Sequence, residues 1–279
     1  MSASRIQSDF RFLTYAMTDD ALNPAATSKD EVSALARGLA VLAAVAKAPG
    51  PVSNRELADA TKIPKATVSR LAATLVSAGY LRQQPDSERF ALGAGVMELG
   101  SAYLRKFDLR SHARLHLAEV AEFAGAAVHM GVRDRLDIVV IDAIRPHSAV
   151  ILSRLDVGLR LAIPSSAMGR VYIAALDTTA RTDLLSDLRQ AAGKEWRKQA
   201  AQLEAAAKEY AEHGYCSSFG DWHRDMHALG VAIHGPGGEL YAVSCGGPAY
   251  LLTERVMRER IAPRLLDAAR AISKEAGQA

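Results

Sequence analysis

Residues Ser53–Gly79 read SNRELADATKIPKATVSRLAATLVSAG, and this stretch decides the fold of the N-terminal part of the chain. Ser53 and Glu56 form an S-x-x-E capping box, which predicts a helix start. Leu57, Ala58 and Ala60 give that helix a small apolar face. Thr61, Lys62 and Ile63 make a turn too short for the two helices to run antiparallel. Pro64 suits the first position of the next helix, where its missing N–H costs nothing. Val68, Leu71, Ala72, Leu75 and Val76 then recur at helical spacing as one buried stripe. The opposite face holds Lys65, Thr67, Ser69, Arg70 and Thr74. A short helix, a tight turn and a helix with a basic, hydroxyl-rich outer face make the pattern of a DNA-reading helix-turn-helix. An ordinary helical hairpin with a solvated outer face has the same periodicity.

The flanks favour the first reading. Gly79 stops the second helix. Tyr80-Leu81-Arg82 and Arg89-Phe90-Ala91-Leu92 then read as a β-hairpin around a Pro85-Asp86-Ser87 turn. A hairpin directly after a recognition helix is a wing, and it places Arg82 and Arg89 where they can reach the phosphate backbone. Upstream, Leu35, Leu39, Leu42 and Val45 predict a further helix, ended by Pro49-Gly50. In residues 32–92, Arg37, Lys47, Arg55, Lys62, Lys65, Arg70, Arg82 and Arg89 outnumber Glu56, Asp59, Asp86 and Glu88, as phosphate contact requires. The expected DNA contacts are Ser53, Lys65, Thr67, Ser69, Arg70, Thr74, Arg82 and Arg89.

The whole chain, by contrast, is near neutral: 279 residues carry a net charge of +3. With 49% hydrophobic residues it is long enough for two domains with real cores. Two cysteines, Cys216 and Cys245, are too few for a disulfide framework. Arg5, Asp9 and Arg11 interrupt any apolar run near the start, so no signal peptide is read there, and no stretch approaches a membrane span. These features point to a cytoplasmic protein with no membrane partner. Residues 1–31 are expected to be a mobile tail.

Three blocks, LARGLAVLAAVA, ELADATKIPKATVSRLAATLVSAGYL and RFALGAGVMELG, occur in this order. Their order and spacing resemble the DNA-binding half of IclR-family transcriptional regulators. The resemblance implies a winged helix-turn-helix domain at 32–92, a linker and dimerisation helix at 93–109, and a GAF-like effector-binding domain at 110–279. It implies a homodimer or dimer of dimers on double-stranded DNA, at a near-palindromic operator, with a small-molecule effector and no cofactor. The first helix of the second domain is the alternative reading of 93–109.

The second half supports an α+β domain with an antiparallel sheet on its own pattern. Residues 127–132 and 137–142 read as a hairpin, 149–152 as a strand, and 229–233 and 240–245 as two more strands. Helices are predicted at 110–123, 163–176, 178–190, 195–213 and 253–274.

The run Ala162-Ile163-Pro164-Ser165-Ser166-Ala167-Met168-Gly169-Arg170 resembles the family block that forms one wall of the effector pocket. A Ser- and Gly-rich helix start offers N–H groups and a positive dipole end to a carboxylate, though serine at such a position is also an ordinary N-cap. Where relatives carry an acid, this chain has Trp222, His223 and Arg224. The resemblance implies an effector set of His129, Met130, Ser165, Ser166, Ala167, Met168, Gly169, Cys216, Trp222, His223, Met226, Ile233 and Ser244. An aromatic or other hydrophobic carboxylic acid is the expected ligand, and control of a catabolic operon the expected role.

Two alternatives use the same residues. His213, Cys216, His223 and His227 have ligand types that zinc accepts, which would make a metal-responsive regulator. Ser165 or Ser166 with His129 and Asp142 could be drawn as a hydrolase triad, giving a DNA-tethered hydrolase. No G-x-S-x-G elbow, dinucleotide fingerprint or Walker motif is present, so the sequence reads as no enzyme.

Overall fold

The computed structural model describes residues 32–147 and 155–277 and divides the chain between Lys106 and Phe107 into two compact units. The expected tail at 1–31 and strand at 149–152 lie outside the described residues.

The first unit runs α1 (Ser33–Lys47), β1 (Val52–Ser53), α2 (Asn54–Thr61), α3 (Lys65–Ser77), β2 (Leu81–Gln83), β3 (Arg89–Leu92) and α4 (Gly95–Leu104). The capping box forms as read: the Ser53 hydroxyl accepts the Glu56 N–H and Glu56 reaches back to the Ser53 N–H. Lys62 closes α2 with a left-handed backbone, φ 58°. Pro64 is the N-cap of α3 and not its first helical residue. Gly79, at φ 79°, turns the chain out of α3 into the wing. The wing gains a third strand that periodicity did not reveal, in the order β1-β3-β2 with Val52 opposite Phe90. Val41, Val45, Leu57, Ile63, Val68, Ala72, Leu81 and Phe90 form the core. The expected apolar stripe of α1 needs correction. Leu35 and Leu39 are exposed, at 63% and 47%, whereas Leu42 and Val45 of the expected stripe pack in the core together with Val41. No residue of α4 is buried within its own unit, and Met97, Leu99 and Tyr103 are exposed.

The second unit begins with α5 (Asp108–Ala124), followed by β4 (Ala127–Asp134), β5 (Asp137–Ile144), β6 (Arg160–Ala162), α6 (Ala167–Ala175), α7 (Thr178–Ala192) and α8 (Trp196–His213). It ends with β7 (Cys216–Phe219), β8 (Met226–His234), β9 (Leu240–Pro248), α9 (Glu254–Val256), a π-helical turn (Met257–Ile261) and α10 (Ala262–Ala276). The six strands form one antiparallel sheet, β6-β5-β4-β9-β8-β7. Helices α5 and α10 pack together against it, while α6 packs on β8 and β9 with α8 beside it. The core under α6 and α8 joins Ile138, Val140, Met168, Val171, Leu203 and Cys216. Strands β6 and β7 were not read from the sequence. Both are short edge strands, and Cys216–Phe219 carries two serines, so the alternation is too brief to register. Among the described residues no helix is long and apolar enough to cross a membrane.

Candidate functional site

Two surfaces carry chemistry, one on each unit. On the first, the outer face of α3 exposes Ala66, Ser69, Arg70, Ala73 and Thr74 along one strip, with Lys65 at its start. Three of these side chains are short, so the helix backbone can lie close to whatever the strip contacts. Thr67 is half-buried and Thr74 returns its hydroxyl to the Arg70 carbonyl at 3.0 Å, so both are less available than their spacing suggested.

Two expected contacts are spoken for inside the unit. Ser53 gives its hydroxyl proton to Glu56 Oε2 at 2.8 Å. Arg89 donates to the Pro51 carbonyl at 2.7 Å and pairs with Glu56 at 3.1 Å, because the β1–β3 register sets Ser53 opposite Arg89. The Ser53 N–H and hydroxyl, and then Arg89, hold the Glu56 carboxyl below its usual range. Arg82 stands exposed on β2. Both wing arginines are exposed, but Arg89 also fastens the wing to α2.

On the second unit a narrow cavity of about 30 Å³ opens between the sheet and the start of α6. Strand register decides its floor. His129, Ser244 and Gly230 are directly paired across β4, β9 and β8, so they share one face of the sheet. His129 and Ser244 line the cavity, and Gly230 lets Ala167 approach, since a Cβ there would lie 2.5 Å from the Ala167 carbonyl oxygen. Ser166, Ala167 and Met168 form the wall from α6, with Trp222 and Met226 opposite. Gly169 has no room for a side chain: a Cβ would lie 2.3 Å from Ile163 Cα. That contact seats the helix start against the preceding turn.

Hydrogen bonds sort the polar groups into occupied and open ones. Ser166 is the N-cap of α6. Its hydroxyl accepts the Gly169 N–H at 3.1 Å and donates to the Ala162 carbonyl at 2.8 Å. Ala167 and Met168 line the cavity, and their N–H groups precede the first intrahelical bond. Arg170 is 6% exposed and ties three segments together, donating to the Pro164 carbonyl at 2.9 Å, the Ser217 carbonyl at 2.7 Å and Asp221 Oδ2 at 2.8 Å. It thus joins the α6 wall to the loop that bears Trp222.

His129 is the outlying group. It is 1% exposed, and among the described residues neither ring nitrogen has a hydrogen-bond partner. Burial, helped by the Arg145 charge, pushes its pKa down to about 4; the Leu155 backbone lies near enough to oppose the shift without reaching hydrogen-bond geometry. The ring is therefore neutral at pH 7 and can donate from one nitrogen and accept at the other. Because the folded value lies below the unfolded one, the unfolded chain binds the proton more tightly. Stability from this group is complete above the ordinary value of 6.5 and is lost as pH falls towards about 4. Wild type should lose about 2 kcal/mol more than His129→Leu between pH 7 and pH 4.5. Urea unfolding at the two pH values measures it, and parallel pH curves for the two proteins would refute it.

Of the other residues expected around an effector, the cavity is not lined by Met130 and Ile233, which alternate to the opposite face of the sheet. Ser165 turns its carbonyl to the Ser218 hydroxyl at 2.7 Å, and Cys216 gives its thiol proton to the Ala206 carbonyl in α8 at 3.3 Å. His223 lies outside the lining. Leu155, Leu161, Ser218, His227, Ala228 and Gly246 line it unforeseen. Ala228 and Gly246 were in principle legible, since each is two residues along its strand from a lining or floor position.

The metal alternative does not assemble. His213 stacks on Tyr215, Cys216 points to α8 and His227 meets the Leu252 carbonyl at 2.8 Å. Among the described residues no group of three His, Cys, Asp or Glu is placed to hold an ion. Nor does the drawn triad form: Asp142 is held by Arg114 at 2.8 Å and Ser166 by its capping bonds.

A winged helix on one unit and an α+β unit enclosing a small polar-and-apolar cavity define a DNA-binding transcriptional regulator with a separate sensory domain. The comparisons agree. Residues 34–85 match the IclR helix-turn-helix domain and residues 101–274 the bacterial transcriptional regulator IclR C-terminal domain. The chain is 32% identical over 254 residues to the HTH-type transcriptional regulator TsaQ1/TsaQ2 of Comamonas testosteroni, covering 90% of each. It is 28% identical over 244 residues to the Pca regulon regulatory protein of Pseudomonas putida, covering 86% of this chain and 83% of that one. A crystal structure of an IclR-family regulator from Brucella abortus is 34% identical with a TM-score of 0.74, covering 91% and 98%. The chain belongs to the IclR family of transcriptional regulators.

Proposed function

We propose that the chain is a cytoplasmic, ligand-responsive regulator of a catabolic operon, and that its effector is an aromatic or other hydrophobic monocarboxylic acid bound at the start of α6. The carrying observation is His129, a neutral ring buried without a hydrogen-bond partner among the described residues, on the floor of a cavity whose wall includes Ala167 and Met168 at the helix start. A buried polar group is ordinarily hydrogen-bonded, so the ring and the helix start together suit a ligand with two polar ends. The helix N–H groups and dipole take the carboxylate. Leu161, Met168, Trp222 and Met226 supply the apolar surround. The ligand named for one structural neighbour, 4-hydroxybenzoate in an IclR homologue of Microbacterium hydrocarbonoxydans, is of this chemistry, although that protein is only 22% identical.

The cavity of about 30 Å³ holds little more than a water, so an aromatic acid must displace its lining. The loop from Gly220 to Asp225 is the wall that can yield, and Arg170 transmits its position to α6. In a dimer on a near-palindromic site, with α3 of each copy in the major groove, a coupling of ~1–3 kcal/mol suffices to switch occupancy. The exposed apolar faces of α1 and α4 fit a contact between copies. Calorimetry of the full chain with benzoate and 4-hydroxybenzoate tests the site. His129→Leu should weaken binding more than tenfold, and His223→Ala should leave it within twofold. Equal affinities for wild type and His129→Leu, or loss only in His223→Ala, would move the site to the loop.

A further inference from the structure

A second cavity, partly open, lies in the same unit, lined by α6, α7 and α8. It measures about 300 Å³, against about 30 Å³ for the first. Its wall is apolar, formed by Ile173, Leu185, Trp196, Ala200 and Leu203. Arg181 enters it from α7. One arm of this guanidinium is committed: Nη2 donates to the carbonyls of Ala174 and, at 3.0 Å, of Leu176, where α6 ends and its last carbonyls lack helical donors. The Nε atom is buried and has no hydrogen-bond partner among the described residues. A guanidinium that lines an apolar space, with one N–H unmatched among the described residues, suits an acceptor from outside.

We propose that this cavity is a second small-molecule site, separate from the one at the start of α6, for an alkyl monocarboxylate whose carboxylate meets Arg181. At roughly 30 Å³ for each small group, the space holds about ten non-hydrogen atoms, the size of octanoate. The apolar wall takes the chain. Glu204 stands at the rim, with its carboxylate 70% exposed and paired with Lys208 at 2.8 Å. Its charge opposes a second anionic group, so a monocarboxylate is favoured over a dicarboxylate of the same length. The site does not rest on what the first cavity binds, although α6 borders both, with Ala167 and Met168 at one end and Ile173 and Ala174 at the other.

Calorimetry on the full chain tests it with octanoate, octanol and suberate. Octanoate should bind saturably, one per chain, at least tenfold more tightly than either of the others. Arg181→Gln should erase the advantage over octanol while octanol binding persists. Ala200→Trp, which fills the space and leaves Arg181 in place, should weaken octanoate at least tenfold, and it decides the matter if Arg181→Gln fails to fold. No saturable octanoate binding overturns the proposal. So does full affinity in Ala200→Trp, and if that affinity is lost in His129→Leu, octanoate belongs to the first cavity.

Discussion

Arg170→Met should lower the unfolding free energy of the second unit by about 3 kcal/mol. Methionine keeps most of the hydrocarbon stem, so packing changes little and the loss is that of the guanidinium. The Pro164 and Ser217 carbonyls then lose their donor in a buried place, at about 1–3 kcal/mol each. Asp221 adds less, because its side chain is 37% exposed and water can take over part of the interaction. The midpoint of urea unfolding should fall with an unchanged slope. The same substitution should release the loop from Gly220 to Asp225, so backbone hydrogen exchange there should quicken well beyond the global change. A loss below about 1 kcal/mol would mean that the three bonds of Arg170 contribute little in solution.

Arg70→Ala should cost operator affinity about 1–3 kcal/mol, a factor of roughly 5 to 150, if the exposed strip of α3 reads base edges. Arg70 is the long cationic side chain in the middle of that strip, between the short Ala66, Ser69 and Ala73. The loss should be largest on the natural operator and small on scrambled DNA of equal length. Phosphate contacts behave otherwise. Arg82→Gln should weaken both DNAs alike and reduce the salt slope by about one unit. Arg89→Gln should leave the slope nearly intact, since that side chain is spent on Pro51 and Glu56. Fluorescence anisotropy across a salt series separates the three. Equal losses on both DNAs for Arg70→Ala would make it a phosphate contact and would require another residue for readout.

The winged helix was legible because its signals are local. A capping box, a proline, a left-handed glycine and a heptad-like stripe act over a few residues, and the chain carries them in order. The antiparallel hairpins β4–β5 and β8–β9 were legible for the same reason, as alternating runs broken by short turns. Periodicity alone could not say how much of the α1 stripe would be covered: Leu35 and Leu39 stay exposed, while Leu42 and Val45 join Val41 in the core.

The cavity lining depended on longer-range relations. Side chains alternate between the faces of a strand, so a shift of one residue exchanges His129 for Met130 or Ser244 for Cys245. The pairing that settles this joins β4 to β9, far apart in the chain. Arg170 read only as the end of a pocket-wall block and Arg89 as a free wing cation, because a sequence shows charge and not the carbonyl or carboxylate that folding brings beside it. By itself the sequence determined the class of the protein and its winged helix, whereas the helix read from residue 163 begins at Ala167, after a turn. Tertiary packing decided which polar groups at that cavity are satisfied and which are left open, because hydrogen-bond partners distant in the chain meet only when the sheet and α6 close on each other.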